Sequence, residues 1–294
     1  MTTYIGSGPY CYASTVSMMM GGQWAPALIE TLTGAAFGFQ VVEGVPYFDP
    51  VGWDPDQGVD QALGLLGWSS ERRTYSDAES AYADLVRLVA RGPVFVGPIE
   101  MGLLAHQPGP DRPMGADHFL TVLAADHEGV LMHDPEGFPY AWLPAEVFVS
   151  AWGSPISYCH GRFPLRTGFH QNAAITEADA ISALLPLAAR WADQPANSLG
   201  LRAFGTEAAA GLEAGTNAVL TEFSLRLAAR RRIDAAQALR EYPRLAELLD
   251  RQARLLGRAQ YVALRSRGGD LAALLNETAD LHEAITRELR AAVS

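Results

Sequence analysis

Three side chains stand in an order that suits nucleophilic catalysis: Cys11, then His118, then Asp134. A thiol attacks as its thiolate, which is favoured at the positive end of a helix or beside an imidazolium. It needs a base within hydrogen-bond reach, and the base needs a third group to fix its tautomer and orientation. Cys11 follows the turn-forming run Gly6-Ser7-Gly8-Pro9 and opens the unbroken stretch 12–20, in which Ala13, Val16 and Met20 share one helical face. The sulfur is therefore expected at a helix N-terminus. His118 opens the apolar run 119–125 and Asp134 closes the run 130–133, with the turn signal Asp126-His127-Glu128-Gly129 between them. Folding the strands back on that turn brings His118 and Asp134 to the same end of one hairpin.

Each residue also has a plainer use. A helical cysteine packs as a small hydrophobe, a strand histidine serves as a cap or a core group, and Asp-Pro opens ordinary turns. The ordered combination is what points to chemistry. His118, His127, His133 and Asp134 match no zinc spacing, so no metal site is expected. Cys159 and His160 are neighbours whose side chains would leave a strand on opposite faces, and Cys159 reads as core. The backbone N–H of Cys11 is a candidate oxyanion donor, with Tyr4, Ser7 or Tyr10 as the second. Glu100 is either a structural anchor or a contact for a substrate amine. The aromatic residues Tyr47, Phe48, Trp53 and Trp68 either fill a core or line a pocket.

These groups must be positioned by elements of two textures. The first part, rich in Gly, Pro, Trp and Tyr, carries short apolar runs such as 93–96 and 119–124 that read as strands. Beyond it the composition turns to Ala, Leu, Arg and Glu at helical spacing, as in Leu245, Leu248, Leu249, Leu255 and Leu256. The expected class is α+β, with a catalytic domain over 1–170 and a helical domain over 171–294. Breaks at 194–197, 231–234 and 267–270 divide the latter into about four helices, with Asp234 and Asp270 as N-caps.

With 294 residues, 49% hydrophobic, and a mean hydropathy of +0.03, the chain has the composition of a soluble globular protein. No leader-like segment and no run of roughly 18 apolar residues stands out, which points to a cytoplasmic protein without a membrane span and with reduced cysteines. A net charge of −11 argues against nucleic-acid binding. All 22 basic residues are Arg, and segment 221–267 holds eleven of them against five acids, a local +6 beside −17 on the remainder. That segment is either a solvated helix face laced with ion pairs or an attractor for an acidic partner.

The blocks Gly8-Pro9-Tyr10-Cys11-Tyr12-Ala13, Asp117-His118-Phe119-Leu120-Thr121-Val122 and Val130-Leu131-Met132-His133-Asp134-Pro135 resemble the Cys, His and Asp-Pro blocks of the bacteriocin-processing, papain-like cysteine peptidases. The chain is more closely similar to the butirosin biosynthesis protein H type of acyltransferase. There, as here, a strand (Val94-Phe95-Val96) leads to an acidic residue (Glu100), a Leu (Leu103) and a polar loop (108–115) before the His block, and a helical C-terminal domain follows. The resembling motifs cover residues 8–20, 93–104 and 117–137. The resemblance implies a papain-like fold with a C-terminal helical bundle and transfer through an acyl-Cys11 intermediate. It also implies a phosphopantetheine-linked donor on an acyl carrier protein, a small-molecule amine acceptor and no bound cofactor. The acidic carrier would meet the Arg-rich 221–267 segment. The peptidases place a Gln shortly before their Cys, and none occurs among residues 1–10 here, which weighs against proteolysis. A cysteine peptidase or thioesterase is the alternative, and a non-catalytic scaffold the third reading.

Overall fold

Turn residues punctuate the first half of the chain closely, and helical spacing rules the second, so strands concentrate early and long helices late. The computed structural model describes residues 8–293; Tyr4 and Ser7, two of the candidate oxyanion donors, lie outside them. In chain order the elements are α1 (Cys11–Met19), α2 (Pro26–Leu32), β1 (Gln40–Val42), β2 (Val45–Tyr47), α3 (Pro55–Leu65), β3 (Trp68–Tyr75), α4 (Ala78–Val89) and β4 (Val94–Glu100). Then come β5 (Asp117–Ala125), β6 (Gly129–Asp134), β7 (Phe138–Pro144), α5 (Ala145–Gly153) and β8 (Arg162–Gln171). The helices α6 (Glu177–Ala192), α7 (Pro195–Ala210), α8 (Ala214–Val219), α9 (Leu225–Ala238), α10 (Pro243–Leu264) and α11 (Gly268–Ala292) complete the chain. The class is α+β, as the sequence texture predicts.

The chain forms two compact units, and each is built from two separate segments. The first joins the residues up to Pro26 to Gly67–Ala173, and the second joins Ala27–Leu66 to Ala174–Ser294. The change of texture near residue 170 thus coincides with one boundary, while the 27–66 segment groups with the C-terminal helices rather than with the sheet that follows it.

The first unit is a six-stranded antiparallel sheet in the order β3-β8-β4-β5-β6-β7. Alternation along β5 puts Leu120 and Val122 into a core shared with Leu85 and Leu88 of α4 and with Phe148 and Trp152 of α5. The intervening residues meet α1 instead: Phe119 packs edge-on against Tyr12, and Thr121 touches Met18. With both faces covered, β4 is buried along its whole length. Gly97 lets β4 approach β5 closely. Its φ is +147°, and a Cβ there would lie 2.7 Å from the His118 carbonyl oxygen and 2.5 Å from the Phe119 ring.

In the second unit, α11 lies along α7 and α10, and α10 along α9. Among the described residues beyond Ala173, six helical segments form where about four are expected, α8 running into α9 through a π-helical turn at Leu220–Ser224. The break at 231–234 does not occur, because α9 runs straight through it with Arg231 and Arg232 buried at 2% exposure each. Asp234 is inside α9 and Asp270 inside the first turn of α11, so neither is an N-cap. Arg231 bonds Glu30 at 2.7 Å and Asp49 at 3.2 Å, and Arg232 donates to Gln252 at 2.7 Å and to the Gly38 carbonyl at 2.9 Å. Trp53 and Phe48 are buried beside this network, which favours the core reading for both; Trp68 belongs to the sheet unit.

Buried His282 contacts the Ala192 carbonyl, the last of α6, through Nε2 at 3.1 Å. Burial first, and Arg232 second, push its pKa down to about 4. An unfolded His titrates near 6.5, so between about pH 6.5 and 4 the unfolded chain binds a proton that the folded one refuses. Stability should therefore fall over that window, by up to about 3 kcal/mol from this group, and level off below it. Urea unfolding at a series of pH values should show that slope reduced in His282→Gln, in which an amide can still donate to Ala192.

Candidate active site

Helix α1 is buried from Tyr12 to Met18, which is unusual for a helix carrying Ser14, Thr15 and Ser17. Two of its hydroxyls meet backbone carbonyls: Ser17 donates to Trp24, and Thr15 Oγ1 lies 2.8 Å from the carbonyl of Cys11 and 3.2 Å from that of Phe119. Thr15 thereby ties the first turn of α1 to β5 one residue past His118. Cys11 occupies the first helical position and is partly exposed. Its N–H belongs to the first turn, where amides have no acceptor within the helix. Tyr10, the N-cap residue, is only 1% exposed and makes no side-chain cap.

The hairpin forms as the turn signal predicts. Asp126 accepts the Glu128 and Gly129 amides at 2.8 and 3.1 Å, and β5 and β6 run back from it. His118 and Asp134 consequently share one end, with His118 Nε2 2.7 Å from Asp134 Oδ1. The Cys11 side chain also interacts with the His118 imidazole and favours its charged form. The structure therefore brings Cys11, His118 and Asp134 together in that order. Burial opposes the charge on His118, but the Asp134 carboxylate and the contacts with Asp134 and Cys11 outweigh it and hold the imidazole well above its ordinary range. Asp134 is fully buried. Burial would raise its pKa, yet the His118 charge and the hydrogen bonds from His106, His118 and the Glu136 amide hold it far below the usual carboxylate range. A protonated imidazole between a carboxylate and a thiol is the arrangement that keeps sulfur as thiolate.

Two more side chains reach the same carboxylate, and sequence reasoning missed both roles. His106 Nε2 lies 2.7 Å from Asp134 Oδ2, and the Gln107 amide donates to the same oxygen. His133 instead accepts the Tyr140 amide at Nδ1 and packs edge-on against the Tyr140 ring. Glu100 is a loop anchor: its carboxylate accepts the amides of Gly102, Met114 and Gly115 at 2.9–3.0 Å, which favours the structural of its two readings. Among the described residues no group of His, Cys, Asp and Glu is arranged to hold a metal.

Cys159 is not core. It is half-buried, lines a cavity of about 260 Å³ with Trp152, Ile156 and Phe163, and has the Arg72 guanidinium 3.5 Å from its sulfur. No helix among the described residues is long and apolar enough to cross a membrane.

Residues 191–290 match the YobF C-terminal domain family. The chain is also 33% identical over 176 residues to the "Uncharacterized protein YobF" of Bacillus subtilis (strain 168). That likeness spans 58% of this chain and 55% of the relative, so the chain matches little more than half of the relative's length.

Because only Cys11 combines a helix N-terminus with an imidazole and a carboxylate behind it, brief iodoacetamide treatment at neutral pH should label Cys11 before Cys159. Peptide mass spectrometry reads the order, and His118→Ala should slow labelling of Cys11 while leaving Cys159 unchanged. Faster labelling of Cys159 would show that the Arg72 contact activates a thiol more than the imidazole does.

Proposed function

We propose that this protein is a cysteine-dependent acyltransferase of papain-like fold, with Cys11 as nucleophile, His118 as acid and base, and Asp134 as the group that orients the imidazole. The observation that carries the reading is the buried His118 ring, 2.7 Å from Asp134 through Nε2 and interacting with the Cys11 side chain. The Cys11 thiolate attacks a thioester carbonyl, and the oxyanion is met by the Cys11 N–H at the helix N-terminus. Collapse breaks the carbon–sulfur bond to the donor thiol, which leaves with the proton from His118. Acyl-Cys11 and a neutral imidazole remain. An acceptor amine then attacks the acyl carbon, His118 takes its proton, and the second collapse releases the amide and restores the thiolate–imidazolium pair.

The resembling sequence blocks favour an acyl or aminoacyl donor on a carrier-protein thioester and an amine acceptor in specialised metabolism, working in the cytoplasm. A transferase must keep water from replacing the amine, whereas a peptidase or thioesterase admits it. The same three residues serve either reaction, so the fate of the acyl-enzyme separates them. Incubated with an acyl-N-acetylcysteamine thioester, the protein should gain the acyl mass on Cys11, and Cys11→Ala should gain none. Discharge faster with added amine than in buffer supports the transferase. Discharge at equal rates would make it a hydrolase, and no adduct at all would favour the scaffold reading.

The carrier-protein contact needs an exposed basic face, and Arg231 and Arg232 cannot supply it because both are buried. Arg251, Arg254 and Arg258 are exposed on one side of α10. Reversing these three to Glu should raise the apparent KM for a carrier-linked donor, spare the small thioester, and lose its effect at high salt. Equal losses with both donors would indicate damaged folding, and no loss with either would return the segment to a solvated helix face.

A further inference from the structure

Asp134 holds more donors than a nucleophile–base–carboxylate set requires. Its Oδ1 accepts His118 Nε2 at 2.7 Å and the Glu136 amide at 2.8 Å, while Oδ2 accepts His106 Nε2 at 2.7 Å and the Gln107 side chain. The second pair arrives from the connection between β4 and β5. Both ends of that connection are pinned to one group, since Glu100 accepts the amides of Gly102 at the start and of Met114 and Gly115 at the end. The intervening residues 108–113 are exposed, but His106 is not: its side chain is 8% exposed, its ring meets Phe138 edge-on at 5.5 Å, and its Nδ1 is buried without a hydrogen-bond partner.

We infer that His106 and Gln107 are positioning residues that clamp the Asp134 carboxylate and so hold His118 against Cys11. A carboxylate bonded through one oxygen can rotate about its Cβ–Cγ bond and carry the lone pair that His118 needs out of line. Two donors on the other oxygen fix the carboxylate plane, because both oxygens must then stay where they are. His106 is poorly placed for any direct part in the chemistry: one nitrogen is committed to Asp134, and the other is enclosed. The inference rests on reading Cys11, His118 and Asp134 as one working set.

The titratable groups of this cluster are Cys11, His106, His118 and Asp134, and the pH profile of Cys11 alkylation reports on their alignment without requiring any substrate. In the full-length protein, the wild-type profile should have its midpoint below the value near 8.5 of an ordinary thiol. Combined His106→Ala and Gln107→Ala should move the midpoint up by about one unit, which slows alkylation about tenfold at pH values below both midpoints. His106→Gln keeps a donor in place and should restore most of the rate, which a purely space-filling role would not predict. A low wild-type midpoint that the double variant leaves unchanged would overturn the clamp while leaving the catalytic reading intact. Loss in His106→Gln as large as in the double variant, with near-UV circular dichroism altered in both, would overturn it in favour of packing. An ordinary wild-type midpoint would overturn the catalytic reading and the clamp together.

Discussion

A charge with no access to water has to be balanced from within, and the Asp134 carboxylate is such a charge. Its four donors come from β5, from the connection before β5 and from the turn after β6, so one group fixes three stretches of chain at once. Breaking a buried pair by removing one partner typically costs about 3–5 kcal/mol, because the survivor stays buried and uncompensated. The register of the β5–β6 hairpin, the path of the 104–116 connection and the seating of α1 beside His118 therefore cannot drift independently. The rigidity that protects the fold is the same rigidity that a nucleophile and its base require.

The helical unit solves a similar problem with opposite signs. Arg231 lies between Glu30 and Asp49, and Arg232 meets an amide side chain and a backbone carbonyl, so that two guanidinium groups are buried with their donors directed at oxygen. Burial raises the pKa of Asp49 even though Arg231 and Gln40 oppose the rise. The pairing ties α2 and the turn around Asp49 to α9, which joins the 27–66 segment to the C-terminal helices by polar as well as apolar contact.

How much could be read in advance follows from how local each determinant is. Cys11 at a helix start, and His118 and Asp134 at one end of a hairpin, depend on neighbours within a few residues and on one turn, and all three are legible. His106 is not, since its approach to Asp134 depends on a Glu100 clamp that closes a loop with no regular structure. Arg231 and Arg232 mislead because a run of basic residues reads as a wet surface until partners distant in sequence are known. A signal was nevertheless present: Leu225, Ala228, Arg232, Ala235 and Leu239 recur at three- and four-residue steps, so Arg232 sits on the apolar stripe of α9 rather than opposite it. The setting of Cys159 is hidden in the sequence for a related reason. Its neighbour Arg72 lies on β3, and nothing around residue 159 foretells that cation.

The two-segment construction of the helical unit has a consequence for the order in which the polypeptide matures on the ribosome. Residues 27–66, carrying buried Ile29, Leu32, Phe37 and Phe39, emerge before the sheet, yet they form one unit with the segment that begins at Ala174, where Phe204 meets Phe39. At typical synthesis rates of roughly 5–20 residues per second, the early segment waits on the order of ten seconds, while the entire sheet is made between its two halves. A nascent chain thus carries an uncovered apolar stretch for as long as the sheet takes to be synthesised.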